Sequence, residues 1–264
     1  MQEKNVEDEF TYKISSISTG HAIIYLDSKK ENMITVYEGA NSYFETIEVN
    51  LVKFLSQNAL LNKVFTIEDW VSKNKNIEFL KHFHKLGFDT YADISWSEVI
   101  TDSSIRKVLN FVNPNFGEFY EMIKNAGFSP PNDKDLEEHE LEKEDFENFN
   151  QFLIDQMGNE DWECEFVVKL GSKGSIWFAP DGYVHEPCLK SLEVVDTTGA
   201  GDCYFAALIF KSQCYKLESL NYTKTSDLKS ELLKFCNAAA LISCSRKGAQ
   251  EGPTCKEVNK ILND

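Results

Sequence analysis

The chain has 264 residues, 42% of them hydrophobic, which suffices for one large α/β domain with its own core. Its net charge of −16 argues against nucleic acids or anionic membranes as partners, because both would repel an acidic protein.

Cysteine usage and the N-terminus bear on the compartment. The 7 cysteines are scattered and include no CxxC pair, which indicates reduced thiols rather than a zinc site or a disulfide framework. The chain shows no run of about 18 apolar residues, the length that a membrane span requires. Its acidic, polar N-terminus is unlike a secretory signal. We therefore expect a cytoplasmic protein.

Charge patterning suggests how the chain is divided. Residues 1–13 are charged and are expected to be flexible, and 14–264 are expected to form the domain. Between 132 and 163 lie 13 acidic and 2 basic residues, so this segment carries −11 of the net charge. We interpret 129–147 as a solvated acidic loop. A calcium loop is disfavoured because the oxygen ligands lack its alternate spacing and glycine turn.

The first element predicted is a β-hairpin over residues 14–41. One strand is predicted around His21–Leu26 and a second at Met33–Tyr37, with a polar turn between them. The hairpin ends at the turn Gly39-Ala40-Asn41. Because two strands alone are marginally stable and leave a free edge, we expect either a partner for that edge, such as the second copy of a homodimer, or local disorder.

Strands and helices then alternate. A helical pattern over 43–58 precedes a strand that ends at Glu68, and a helix over Ile77–Gly87 precedes a strand that ends near Asp93. A carboxylate just past a strand's carboxyl end lies where open α/β sheets bind ligands. Glu68 is therefore a candidate ligand residue, with a solvated loop acid as the alternative.

The segment NPNFGEFYEM opens another helix. Asn115 followed by Glu118 three residues later is typical of an N-cap with a capping-box acid. The same spacing places both side chains on the first turn, facing one point, so a role in binding is the other interpretation. A helix over about Leu141–Met157 follows.

The segment FVVKLGSKGSIWF predicts two strands joined by a glycine turn. The turn is Gly171-Ser172-Lys173-Gly174, and a plain hairpin with glycines in its turn is the interpretation that these residues give by themselves.

The segment LEVVDTTGAGDCYFAALIF predicts a short strand at Val194 and Val195, a turn, and an apolar helix entered through Asp202. Gly199 and Gly201 allow successive amides to face one point, and the helix adds its unpaired N–H groups, so the turn can bind an anion. A carboxylate beside a bound phosphate suggests proton abstraction during phosphoryl transfer. Packing alone could also explain the glycines, and Asp is a common N-cap.

The string DTTGAGD, Asp196–Asp202, resembles the C-terminal signature of the ribokinase-like (PfkB) carbohydrate kinases. The strand–helix alternation itself predicts a three-layer α/β/α domain with a largely parallel sheet. The resemblance adds the hairpin as a small β lid, and it implies an ATP-dependent phosphotransferase acting on a hydroxyl of a sugar or sugar-like substrate.

The resemblance also implies roles for individual residues. Asp202 would be the catalytic base, with Gly199, Ala200 and Gly201 forming the anion hole. Asn115 and Glu118 would match the motif that holds the magnesium–water cluster and the phosphates. The remaining implied sites are the nucleotide site (Lys169, Gly171, Gly174, Asn237), the substrate site (Glu68, Asn41) and a monovalent cation site, K⁺ for instance (Asp196, Thr198).

This chain departs from the family pattern ahead of the hairpin. Family members carry there a longer segment, with a glycine-glycine motif and an aspartate that grip the sugar, and we expect this N-terminal sugar-binding region to be lacking. The alternative function is a catalytically impaired nucleotide-binding homologue or a truncated fragment. A dinucleotide oxidoreductase is disfavoured, because GAGD has an acid where a GxGxxG motif has its third glycine.

Overall fold

The computed structural model describes residues 13–26, 32–46, 63–68, 73–129, 141–158, 162, 164–189, 192–218 and 225–263. The predicted flexible N-terminus up to residue 12, the hairpin turn 27–31, positions 47–58 of the predicted helix and positions 130–140 of the acidic loop lie outside these ranges. No helix among the described residues is both long and apolar enough to cross a bilayer.

A 2-stranded antiparallel sheet near the N-terminus is the predicted hairpin. It consists of β1 (His21–Leu26) and β2 (Asn32–Tyr37), in a register that pairs Ile24 with Ile34. Neighbouring residues on a strand point to opposite faces, and both Ile23 and Ile24 are exposed. The hairpin therefore presents apolar side chains to solvent on both of its faces. A 3₁₀ segment, Gly39–Thr46, follows.

A 6-stranded sheet forms the centre of the domain, and its strands lie side by side in the order in which they occur along the chain. The first four strands are parallel, and each of the last two is antiparallel to its predecessor. The strands are β3 (Val64–Glu68), β4 (Asp89–Asp93), β5 (Phe111–Val112), β6 (Glu165–Lys169), β7 (Ser175–Ala179) and β8 (Gly182–Glu186).

Helices cover both faces of this sheet. In chain order they are α1 (Lys73–Lys85), α2 (Glu98–Thr101), α3 (Ser103–Arg106), α4 (Phe116–Asn125), α5 (Lys143–Met157), α6 (Ala200–Leu217), α7 (Ser226–Cys244) and α8 (Cys255–Asn263).

Two hydrophobic clusters show the layering. Ala92 and Val112 pack with α1–α5 on one face, and Tyr91 and Phe111 pack with α6–α8 on the other. The parallel strands advance in one direction across the sheet, so right-handed crossovers place α1–α5 on the same face. The helices after β8 cover the face that remains. The central strands are buried on both faces, which is why their side chains are apolar on both sides of the sheet. The predicted three-layer α/β/α fold with a largely parallel sheet is confirmed.

Three details differ from the prediction. The strand predicted at Val194 and Val195 is wrong, because this segment is irregular and the Val195 N–H donates to the Cys244 carbonyl at 2.8 Å instead of to a strand. Helix α5 confirms the helix predicted over about Leu141–Met157, so 143–147 are helical and not part of the acidic loop; at its start the Glu142 N–H donates to the Asp145 carboxylate at 2.9 Å. Strand β8 was not predicted.

Candidate active site

The carboxyl ends of the parallel strands carry a row of charged side chains. Glu68, Asp93 and Lys169 are the last residues of β3, β4 and β6, and Glu68 and Asp93 are paired in register. Ligands of open α/β sheets bind at this end of the strands. The strand order therefore brings together three charged side chains that lie far apart in the sequence.

Lys169 and Asp93 form an ion pair at this end of the sheet. The Lys169 Nζ contacts Asp93 Oδ2, and their side chains are 13% and 18% exposed. Burial raises the pKa of Asp93 to about 6, although the Lys169 charge opposes this shift; the charges of Glu118 and Glu68 raise the pKa further. The sequence marked Asp93 as a strand-end acid but assigned it no role.

The N-terminus of α6 faces this row. Gly199 is the N-cap residue in a left-handed conformation with φ of 76°, and a Cβ there would come within 2.6 Å of the Ala249 carbonyl oxygen. The Ala200 N–H donates to the Thr197 carbonyl at 3.2 Å. The amides that follow, at Gly201 and Asp202, belong to the first turn, whose N–H groups have no acceptor within the helix.

Lys169 also approaches α6. A Cβ placed on Gly201 would lie 3.6 Å from Lys169 Nζ. The ammonium group and the positive end of a helix dipole therefore meet at one place, and such a meeting point attracts an anion.

Asp202 is exposed, so its carboxylate is not turned into the core. It lines a cavity of about 430 Å³ that α6, α7, α8 and the loop 249–253 enclose. Burial raises the pKa of Glu68, and the negative charge of Asp202 raises it further. Glu68 and Asp202 thus interact across the same end of the molecule.

A second cavity, of about 350 Å³, lies on the other side of the α6 N-terminus. Asn237 is buried there, and its Nδ2 donates to the Glu186 carbonyl at 3.0 Å. Apolar side chains of Val194 and Leu241 complete part of the wall. The four residues predicted for the nucleotide site all line this cavity: Lys169, Gly171, Gly174 and Asn237. Ala200 and Gly201, predicted for the anion hole, line it as well.

The two turn glycines have different local surroundings. Both have positive φ, 55° at Gly171 and 94° at Gly174. A Cβ on Gly174 would lie 2.0 Å from the Glu186 carbonyl oxygen, whereas one on Gly171 would meet nothing within 4 Å. Packing against β8 therefore requires glycine at 174, while Gly171 leaves open space beside the cavity.

Asn115 and Glu118 form a reciprocal capping box at the start of α4. The Glu118 N–H donates to Asn115 Oδ1 at 2.9 Å, and the Asn115 N–H donates to Glu118 Oε2 at 2.8 Å. The helix-capping interpretation of this motif is confirmed. The charge of Glu118 nevertheless acts on Asp93, so the capping box lies at the same end of the sheet.

Asp196 ties the signature turn to a distant loop. Its buried carboxylate accepts the Thr198 N–H at 2.9 Å and the Gly248 N–H at 3.0 Å. These hydrogen bonds, that from Thr198 first, lower the pKa of Asp196. The described residues contain no group of three or more His, Cys, Asp or Glu side chains that could hold a metal ion.

The contacts of Asn41 are with the backbone at the two ends of the hairpin. It follows the hairpin, where its N–H donates to the Glu38 carbonyl at 3.0 Å. Its Nδ2 would lie 2.8 Å from a Cβ on Gly20. Asn41 therefore packs against the backbone that leads into β1.

The fold and the site together define an α/β protein in which a helix N-terminus and the Lys169 ammonium group meet near the exposed carboxylate of Asp202. The family model described as "pfkB family carbohydrate kinase" matches residues 1–255, and the chain belongs to this family. The predicted membership of the ribokinase-like family is thereby confirmed.

Individual relatives agree with this assignment. The chain is 24% identical over 260 residues to a ribokinase of Arabidopsis thaliana, covering 96% of this chain and 59% of that protein. It is 23% identical over 253 residues to a ribokinase of Mus musculus, covering 95% of this chain and 68% of that protein. The chain thus spans about six tenths of the length of the Arabidopsis relative.

Solved structures share the fold. A ribokinase from Giardia lamblia superposes with a TM-score of 0.71 at 20% identity, covering 95% of this chain and 73% of that one. Arabidopsis thaliana ribokinase complexed with ribose and ATP superposes with a TM-score of 0.66 at 25% identity, covering 94% of this chain and 70% of that one. A Burkholderia thailandensis nucleoside kinase in complex with inosine superposes with a TM-score of 0.68 at 12% identity, covering 100% of this chain and 74% of that one.

Proposed function

We propose that this chain transfers the γ-phosphoryl group of ATP to a hydroxyl of a sugar or sugar-like alcohol. One observation carries the proposal: exposed Asp202 begins the same helix whose N-terminus meets the Lys169 ammonium group. A proton acceptor and an anion site are thus adjacent, as phosphoryl transfer to an alcohol requires. The ribokinases and nucleoside kinases among its relatives support a substrate of this class.

In the proposed reaction, Asp202 accepts the proton of the attacking hydroxyl. The hydroxyl oxygen bonds to the γ-phosphorus as the bond to the β–γ bridging oxygen breaks, and ADP leaves. The N–H groups of Gly199 and Gly201 and the α6 dipole stabilise charge on the transferring group. The Ala200 N–H donates to the Thr197 carbonyl instead, so Ala200 holds the turn in this shape before ATP binds and is not itself a donor to the phosphoryl group.

The 350 Å³ cavity would seat the nucleotide. Its apolar wall suits a base ring, buried Asn237 borders it, and Gly171 opens toward it without steric hindrance. Lys169 would neutralise the phosphates. Gly174 lines the cavity but is fixed by packing against Glu186, so its contribution is to shape the turn.

Magnesium fits the acidic end of this site. Glu118 is partly exposed, and its charge reaches Asp93, so it would hold Mg²⁺ through water while Asn115 keeps its carboxylate oriented. When bound, the ion would neutralise charge on the phosphates. A monovalent cation such as K⁺ beside Asp196 and Thr198 is also proposed.

Glu68 and Asn41 are the proposed contacts to the acceptor. Glu68 is supported by its electrostatic interaction with Asp202, the proposed base. Asn41 rests on the family resemblance. A cytoplasmic location and a homodimer formed through the hairpin edge are proposed alongside these contacts.

Incubation of the chain with magnesium-ATP and a panel of pentoses, hexoses and nucleosides tests the proposal. The expected result is ADP release that depends on one acceptor and is lost in Asp202→Asn. ADP release that is independent of every acceptor would contradict it.

A nucleotide-binding protein without catalysis is the second candidate. Its support is that the chain spans only 59% of the Arabidopsis ribokinase. ATP binding by calorimetry, combined with no acceptor-dependent turnover across the panel, would favour this second function.

A further inference from the structure

The ion pair between Lys169 and Asp93 joins two strands that are not neighbours. Because β5 lies between β4 and β6, the Lys169 side chain crosses the carboxyl end of β5 to reach Asp93. Both side chains are largely enclosed. A buried pair is weak evidence for stability, since the cost of desolvation can cancel the attraction. Its placement therefore points to a role in the site.

Positive and negative groups compete for the position of the ammonium group. Nζ lies where a Cβ on Gly201 would be 3.6 Å away, beside the positive end of α6, which repels a cation. The carboxylate of Glu68 also interacts with the Lys169 charge. A lysine is a flexible point charge. Without Asp93, it would move away from the helix N-terminus toward another carboxylate.

We propose that Asp93 is a positioning residue that holds the Lys169 ammonium group at the N-terminus of α6, where the phosphates of a nucleoside triphosphate bind. The assignment rests on the proposed function and specifies how its nucleotide site is organised. Asp93 acts through Lys169 and contacts neither nucleotide nor acceptor. A cation fixed before binding lowers the ordering cost when the phosphates arrive.

The experiment combines Asp93→Asn, Lys169→Met and the double variant in a cycle. Calorimetry gives the Kd of ATP, steady-state assays give KM and kcat, and thermal unfolding reports the fold. We expect each single variant to bind ATP about tenfold more weakly, roughly the loss of one charge-assisted contact. The double variant should bind no more weakly than Lys169→Met, because both substitutions remove one interaction.

Asp89→Asn is the matched control. Asp89 is the first residue of the same strand, at the end opposite Asp93, and pairs with Lys216 at 2.6 Å. The substitution therefore removes an ion pair that lies away from the site. It should leave the Kd and KM of ATP unchanged. A purely structural role for Asp93 would lower the unfolding midpoint but leave these constants unchanged.

Asp93→Glu keeps the negative charge but moves it by the length of one methylene group. This variant tests the proposal if Asp93→Asn does not fold. We expect it to remain folded and to bind ATP with intermediate affinity. Wild-type affinity in folded Asp93→Asn or Asp93→Glu, or losses that add fully in the double variant, would overturn the assignment. If the wild-type chain binds no ATP at all, the proposed function itself fails, and the role of Asp93 fails with it.

Discussion

Asp202 owes its exposure to its place in the first turn of α6, where the helix dipole favours a carboxylate and the packed face of the helix lies elsewhere. At the same position, a bound phosphate would repel the carboxylate. Asp202 is therefore favoured in the free protein and strained in the nucleotide complex, and protonation by the acceptor hydroxyl would relieve that strain.

Asp202→Asn should lower kcat by about 10²–10⁴-fold, because an amide cannot accept the proton. The Kd of ATP should stay the same or fall, since a negative charge beside the phosphates is removed. A coupled ADP assay and calorimetry measure the two effects. Asp227→Asn is the control, because Asp227 is also an exposed first-turn acid, at the start of α7. Equal losses of kcat in both variants would contradict a catalytic role.

Gly199→Ala should destabilise the fold for two separable reasons. The left-handed conformation costs a residue with a Cβ about 1–2 kcal/mol, and the Cβ would also clash with the Ala249 carbonyl oxygen. Gly87 has a similar φ of 79° but open space around it, so Gly87→Ala isolates the conformational cost. In urea unfolding, Gly199→Ala should lose more stability than Gly87→Ala. Equal losses would show that the contact with Ala249 is not tight.

Among the elements, α8 depends on a capping arrangement. The Thr254 N–H donates to Glu257 Oε2 at 2.7 Å, and Arg246 Nη2 pairs with Glu257 Oε1 at 2.5 Å. These contacts, the Thr254 N–H first, lower the pKa of Glu257 from 4.5 to about 2. The helix start and the loop that encloses the larger cavity are therefore joined through one carboxylate.

Glu257→Gln should lower the unfolding free energy at pH 7. Because the folded-state pKa is depressed, the carboxylate stabilises the fold above pH 4.5, and this contribution is lost as the pH falls toward about 2. The difference between wild type and variant should shrink across that window in urea titrations. Glu78→Gln is the control, since it removes an exposed ion pair with Lys75 and no helix cap. A difference that is independent of pH would contradict the capping role.

The strands were predictable because each is an apolar run bounded by polar residues, and β3 and β4 end at Glu68 and Asp93 as expected. Strand β8 was missed although the turn residues Pro180 and Asp181 connect it directly to β7. The strand predicted at Val194 and Val195 did not form: Val194 lines a cavity, and Val195 is exposed while its N–H donates to the Cys244 carbonyl.

The site divides in the same way. The signature turn was predictable because its residues, Asp196–Asp202, are contiguous in the sequence. The pair of Lys169 with Asp93 was not, because it links residues 76 positions apart across an intervening strand. Only the strand order reveals such a contact, and the sequence does not state that order.

For the whole molecule, the hairpin is the conspicuous apolar surface among the described residues. Ile23, Met33 and Tyr37 are all more than half exposed. Exposed apolar patches and unpaired strand edges promote association. This surface supports the proposed homodimer.

Ile24→Lys should convert the dimer to a monomer, because it places a charge opposite Ile34 on one face of the hairpin. Light scattering coupled to gel filtration gives the mass in solution. Leu217→Lys is the control, since Leu217 is 68% exposed at the end of α6 and lies outside the hairpin. A monomeric wild type, or a dimer unaffected by Ile24→Lys, would contradict association through this surface.

The strictly sequential order of β3 to β8 has a consequence for biosynthesis. Each new strand of the main sheet finds its neighbour already made, so the sheet can grow steadily as the chain leaves the ribosome. The signature turn cannot be completed in that way, because Asp196 waits for Gly248, 52 residues further on. A nascent chain therefore gains its scaffold early and the signature turn last, so the nucleotide site proposed at that turn would form only when synthesis is nearly complete.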